Sequence, residues 1–277
     1  MTFGQTWYPT FVPEVYPGVA NFNTGILFNP FGWAGQVKVA QKLTPELTLS
    51  VIAYKDREFQ TATAIGASAN SATFNSSIPT IHGQLQYKNK TITTGIGAEY
   101  QSLKPVIESA SLVSTYEVNS SMIFGYFKFS NEKIIAKAYG ITGGNLSHLV
   151  MLGGFAGYTE TNGQESYQPT KTSAFWVDIA SANAKTAPGV FFGYTKNDGV
   201  NSGYKNLYVR GTSGARIIDN IWRASARVDF KQNKFMITPE IEYTAAKWGD
   251  INTNGKAENN LKDVGNFRGT LRVMYSF

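Results

Sequence analysis

The segment from Trp222 to Tyr243 sorts its side chains by parity. Read as two strands joined by the turn Lys231–Lys234, it pairs Phe230 with Phe235, Val228 with Ile237, Ala226 with Pro239, Ala224 with Ile241 and Trp222 with Tyr243. All of these face one way, because successive strand side chains point to opposite faces. The other face pairs Asp229 with Met236, Arg227 with Thr238, Ser225 with Glu240 and Arg223 with Glu242. The final stretch FRGTLRVMYSF repeats the division, with Phe267, Leu271, Val273, Tyr275 and Phe277 on one side and Arg268 and Arg272 on the other. In a bilayer, a one-residue slip would turn four arginines toward lipid at ~2–4 kcal/mol each, roughly 8–16 kcal/mol together. That is comparable to the whole stability of a domain, so the facing of these strands is firmly specified.

The same alternation recurs along the chain. In QLQYKNKTITTGIGAEY, Leu85, Tyr87, Ile92, Thr94 and Ile96 fall outward, and Gln84, Gln86, Lys88, Thr93 and Glu99 inward. In MIFGYFKFSNEKIIAKAYG, Ile123, Phe127, Phe129, Ile134, Ala136 and Ala138 fall outward and Lys128 and Lys137 inward, with Phe124 and Tyr126 making that inner face less polar. Pro239 interrupts an outward face, where a missing N–H predicts a local bulge. About twelve strands are predicted, near 2–9, 36–43, 47–55, 80–88, 91–102, 116–129, 133–142, 170–181, 189–196, 216–230, 235–246 and 265–277.

The connections alternate in length. Short turns fall at 44–46, 89–90, 130–132, 183–188 and 231–234; long loops rich in Asn, Ser, Thr and Gly fall at 10–35, 56–79, 103–115, 143–169, 197–215 and 247–264. Short turns on one rim and long loops on the other is the layout of an outer-membrane barrel. Aromatics gather near strand ends, such as Phe129, Phe230, Phe235, Tyr275 and Phe277 by the short turns and Trp222, Tyr243 and Trp248 by the long loops, as two membrane interfaces require. The fold class expected is an all-β, antiparallel transmembrane β-barrel over residues 1–277 as one domain, with short periplasmic turns and long extracellular loops. A soluble sheet protein that binds a ligand is the other class; it would have to stack these apolar faces on each other, and no helix suitable for covering them is evident.

Composition agrees. Charged residues are only 16% of the chain, low for a soluble surface, and no apolar run reaches the ~18 residues of a membrane helix. No cysteine is present, which removes disulfides, thiolate metal sites and thiol nucleophiles. The net charge is +6, but the lysines and arginines are spread singly along strands, so nucleic acid is not an expected partner. The N-terminal sequence MTFGQTWYPT has neither a basic n-region nor an apolar h-region of a signal peptide.

No catalytic, metal or cofactor constellation emerges. His82 falls on an inward face and His148 in the loop GGNLSHLVM. Ser147 and His148 are adjacent, and neighbours in sequence do not easily act as nucleophile and base. An outer-membrane enzyme barrel would need a Ser-His-acid or acidic cluster at one rim. No loop has calcium-ligand spacing.

Residues 2–43 resemble a segment of porins from Bacteroidota. The resemblance rests on Gly4-Gln5-Thr6-Trp7, Asn23-Thr24-Gly25, Phe28-Asn29-Pro30-Phe31 and Gln36-Val37-Lys38, with Ile26-Leu27 standing where a nearby proline is the pattern. A similar GQTW strand end occurs in DcaP-like trimeric porins, and the terminal aromatic resembles the C-terminal signal of outer-membrane proteins. The resemblance implies an outer-membrane channel in contact with lipid and lipopolysaccharide, a homotrimer, and small hydrophilic solutes as cargo. It also implies that strands precede this segment, so that about four more would give the 16 of water-filled porins, and that residues 2–9 and 265–277 leave a gap or a poor seam.

Two sets of residues follow as candidate sites. The wall of the pore is expected to carry Lys38, Lys42, Lys88, Lys128, Lys137, Arg223, Arg227, Arg268 and Arg272 against Glu99, Asp178, Asp229, Glu240 and Glu242, an excess of four positive charges that favours anionic solutes. Pairs Arg223–Glu242 and Arg227–Glu240 are expected across the hairpin. The long loop 10–35 is apolar for its position, with Phe11, Tyr16, Phe22, Phe28, Phe31 and Trp33. It is expected to fold into the lumen as a constriction; the alternatives are a latch onto a neighbouring subunit or packing on other surface loops.

Overall fold

A computed structural model describes residues 1–22, 24–56, 62–65, 67 and 71–276. Phe277 and part of the loop 56–79 lie outside the described residues. Twelve strands run in chain order through one antiparallel sheet, each hydrogen-bonded to the next. They are β1 (Thr2–Trp7), β2 (Trp33–Lys42), β3 (Leu47–Asp56), β4 (Thr80–Lys88), β5 (Ile92–Leu103), β6 (Val118–Ser130), β7 (Ile134–Gly144), β8 (Lys171–Ser181), β9 (Thr186–Gly199), β10 (Arg216–Gln232), β11 (Phe235–Asp250) and β12 (Lys262–Tyr275). This is the expected meander of an antiparallel transmembrane β-barrel. Among the described residues, β1 and β12 are not paired with each other.

The alternation of turns and loops follows local chemistry. At three short turns an asparagine carboxamide oxygen accepts from two backbone amides ahead of it: Asn89 from Thr91 and Ile92, Asn131 from Lys133 and Ile134, Asn183 from Lys185 and Thr186. Thr44 does the same for Glu46 and Leu47. Such side chains mimic the backbone in a tight reversal. The fifth turn differs from the expectation. Asn233 takes a left-handed conformation (φ 53°), so β10 and β11 close over Asn233–Lys234 rather than four residues. Phe230 consequently pairs with Ile237 and Arg227 with Glu240, a shift of two residues that leaves every side chain on its expected face. Pro239 makes no bulge: the register is the same on both sides of it, and the irregularity lies between Ile218 and Asn220.

The outward face is a belt of exposed apolar side chains, including Val51, Ile96, Ile123, Phe127, Val177, Val190, Ile241 and Leu271. Much of the inward face is covered, and the covering shows that the sheet is curled around it. Residues between β1 and β2 touch the inner face of strands from β4 to β12. A flat sheet of this width could not meet one short segment with strands so far apart.

Beyond the long-loop rim stands a second, three-stranded sheet of Gly153–Thr159, Glu165–Pro169 and Asn206–Arg210, in regions whose residue pattern predicts only loop. Glu165 ties it together by accepting from Asn206 at 2.8 Å and from the Tyr208 hydroxyl at 2.9 Å. Burial, then this bond to Glu165, pushes the Tyr208 phenol above its usual range, so it remains a donor. The long loops also carry a single-turn helix (Ser71–Asn75), a 3-10 turn (Leu146–Leu149), a small hairpin of Glu108–Ser109 with Leu112–Val113, and a short strand, Thr212–Ser213, paired to the start of β10.

Candidate functional site

The segment between β1 and β2 runs from the long-loop rim down the interior and back. Glu14 reaches Lys88, beside a short turn, at 3.2 Å. The Tyr16 carbonyl accepts from Lys137 at 2.9 Å, and the Val19 carbonyl from Arg272 at 3.3 Å. The Ala20 amide donates to Glu240 at 3.0 Å. Returning upward, Asn29 accepts from the Trp176 indole at 3.1 Å, and the Phe31 amide donates to the Leu149 carbonyl at 3.1 Å.

This segment has apolar residues because the wall beneath it is aromatic. Phe124, Tyr139, Trp176 and Phe191 stack side by side on the inner faces of β6 to β9, with ring centroids 5.7, 6.1 and 6.3 Å apart. Val12, Val15, Val19 and Phe28 from the segment pack into the same buried cluster, as do Leu146 and Leu149 of the 3-10 turn and Met151 just after it. Phe11 and Phe28 are buried. Phe22 is 90% exposed at the tip, and Trp33 is the first residue of β2 rather than part of the loop. Phe31 and Trp33 instead join Trp7 in an aromatic group at the β1–β2 edge.

Contacts with the segment, with its cavity or with one another put Lys38, Lys88, Lys137, Arg223, Arg227, Arg268, Arg272 and the five expected acids on the face that meets the segment, and Lys42 and Lys128 have the same parity on their strands. Lys38 alternates with Gln36 and Ala40 along a cavity wall, and Lys42 shares their parity. Lys128 sits beside Lys137 across β6 and β7. Arg223 and Arg268 share the Glu242 carboxylate at 3.3 and 2.8 Å, and Arg272 meets Asp229 at 3.4 Å. Arg227 does not pair with Glu240 as the sequence suggested. It reaches over β9 to Asp178, donating at 2.8 and 3.1 Å. Gly189 of β9 makes this possible, since a Cβ there would stand 2.9 Å from the guanidinium carbon. Glu240 serves the Ala20 amide and the Ser225 hydroxyl instead. Among the described residues, Lys38, Lys42, Lys128 and Lys137 have no ion-pair partner.

Between the segment and β2–β4 remains a cavity of about 220 Å³. Its wall combines Gln36, Lys38, Ser50, Gln84 and Gln86 with Tyr8 and Phe11 from the segment.

His148 departs most from the expectation, which placed it in a polar loop. It is buried, and its Nε2 lies 3.3 Å from Glu99. His82 Nδ1 approaches the other oxygen of Glu99 at 3.1 Å, and the Tyr54 hydroxyl donates to Glu99 at 2.7 Å. The apolar run Leu149-Val150-Met151-Leu152 beside His148 is the signal for burial: Leu149, Met151 and Leu152 belong to the inner cluster, not to a solvated loop. Ser147 donates to the Asn145 side chain and His148 faces the Asn145 carbonyl, so the two do not form a nucleophile–base pair.

No protein-family model matches the sequence, and no curated protein matches it. Among solved structures, the chain is similar to the outer membrane channel DcaP of Acinetobacter baumannii, with a TM-score of 0.69 and 15% identity, over 99% of this chain and 71% of that one. At that identity the likeness speaks for the fold alone: an antiparallel β-barrel sheet like that of the matched channel. OmpT, an outer membrane protein of Vibrio cholerae in trimer form (TM-score 0.46, 11% identity, 99% of this chain and 75% of that one), and OccK8 (OprE) of Pseudomonas aeruginosa (0.41, 10%, 99% and 75%) superpose too loosely to bear on the argument.

Proposed function

We propose that the protein is a passive channel of the bacterial outer membrane, admitting small hydrophilic solutes without catalysis. One observation carries this reading: a polar-faced sheet with an apolar outer belt folds around the segment 8–32, and a polar cavity remains beside it. A barrel built only for rigidity would have no use for such a cavity. In this reading residues 8–32 constrict the pore, and the inward bases and acids line it.

The wall carries nine bases against five acids, and Glu14 of the segment adds one acid, leaving an excess of three positive charges. On a low-dielectric wall this concentrates anions over roughly 8 Å at physiological salt, so weak anion preference is part of the proposal. A homotrimer in lipid and lipopolysaccharide is the assembly the sequence resemblance implies, to be read by cross-linking in native membranes.

The test is reconstitution of the detergent-purified protein into a planar bilayer. Discrete conductance steps are expected, and removal of residues 16–28 should enlarge them. A folded protein that conducts nothing, before or after that removal, overturns the channel reading. Unchanged steps together with loss of trimers would assign the segment to subunit contact instead.

A further inference from the structure

Two histidines, one from the wall and one from an inward turn, close on a single buried carboxylate, Glu99, which the charge count takes only as one wall acid. His82 of β4 and Glu99 of β5 are 0% and 1% exposed in their side chains, and His148 of the Leu146–Leu149 turn is 3% exposed. The partners of the two rings define their protonation. His148 Nδ1 lies 3.1 Å from the Asn145 backbone carbonyl, which can only accept. Its Nε2 lies 3.3 Å from Glu99 Oε1 and 3.4 Å from the Tyr54 hydroxyl, whose single proton already goes to that carboxylate oxygen at 2.7 Å, so the hydroxyl oxygen is left to accept. Both ring nitrogens therefore face acceptors, an environment made for the imidazolium. His82 repeats it, with Nδ1 on Glu99 Oε2 and Nε2 at 3.3 Å from Gln84 Oε1.

The other groups around the cluster leave this intact. Tyr8 packs edge-on to His148 with ring centroids 6.0 Å apart, and Phe124 lies against His82 at 5.4 Å. Tyr139 is a buried phenol on β7, and Arg210 donates to the Ser147 carbonyl at 3.5 Å. Glu99 is thus the anion that holds both rings, and both bonds depend on ring protons.

The turn so held is joined to the interior segment. The Leu149 carbonyl accepts from Phe31, and Leu146, Leu149 and Met151 pack in the cluster that contains Phe28. We infer that His148, Glu99 and His82 form a proton-operated latch that fixes the inward turn 145–152 against the wall when the rings are protonated and releases it as they lose their protons. The sign follows from the donors. Removing the Nε2 proton of His148 sets a lone pair against a carboxylate, so the latch is closed on the acid side and loosens as pH rises.

That this loosening also changes conductance rests on the channel reading, so the deciding measurement is made without current. Hydrogen exchange of residues 145–152 in the detergent-folded protein, corrected for the intrinsic rate, should show protection falling about tenfold between about pH 5.5 and pH 8.5. His148→Gln should flatten that slope, with the unheated band on SDS gels confirming a folded barrel. Constant protection in the wild type, or an unchanged slope in His148→Gln, overturns the latch. Imidazole nitrogen NMR of the wild type needs no variant: His148 doubly protonated at about pH 6 supports it, and a neutral ring there overturns it. A pH-dependent turn in a protein that does not conduct would leave the latch standing and remove the channel reading alone.

Discussion

Arg227 of β10 reaches across β9 to grip the carboxylate of Asp178 on β8 with both terminal nitrogens, at 2.8 and 3.1 Å. The two side chains are 3% and 1% exposed. Gly18 of the interior segment lies directly over this guanidinium, so the ion pair is both a brace across three strands and the floor on which the segment rests.

Asp178→Asn should therefore destabilise the barrel by about 3 kcal/mol, because it leaves a buried guanidinium without its counter-charge. Urea unfolding in lipid vesicles reads this directly. A change below about 0.5 kcal/mol would mean the pair is solvated in the working protein, as exposed pairs are.

Phe28 is fully buried, seated on Gly193, where a Cβ would stand 2.6 Å from its ring, and beside the Arg223 guanidinium at 5.3 Å. Phe28→Ala should loosen the returning arm of the segment by about 3 kcal/mol or more, and single-channel conductance should rise with greater open-state noise. Conductance equal to wild type would place the narrowest point elsewhere.

Lys38 and Lys128 face inward without acid partners among the described residues, whereas Arg268 and Arg272 are each tied to a carboxylate. Exchanging both lysines for Gln should move the reversal potential in a KCl gradient toward cations. Arg268→Gln with Arg272→Gln should shift it in the same direction, leaving Glu242 to Arg223 alone and Asp229 without an ion-pair partner among the described residues. A wild-type channel with clear cation preference would contradict the charge count.

Val177 is outward and 39% exposed near the middle of β8. Val177→Arg should cost ~2–4 kcal/mol of folding into a bilayer, seen as a lower yield of the heat-modifiable form on refolding into vesicles. The neighbouring outward face would tolerate arginine freely if it were a solvated surface.

Much of the fold is legible in the order of the residues. Parity alone places Arg223, Arg227, Arg268 and Arg272 inward and Ile96, Ile241 and Leu271 outward, because on a strand the face is decided by counting in twos. The order of short turns and long loops likewise follows from residues such as Asn89, Asn131 and Asn183, which make their turns with their own side chains. These are local properties, set by residue type and spacing along the chain. The choice of partners is not local, and it emerges only when the strands come together in three dimensions. One left-handed residue, Asn233, moves the β10–β11 register by two. Arg227 finds Asp178 rather than the facing Glu240 because a glycine on the strand between lets it pass. His148 meets Glu99 because an apolar turn folds inward onto the aromatic wall. Each depends on which distant strands curl toward one another, and side-chain parity contains no term for distance across a barrel.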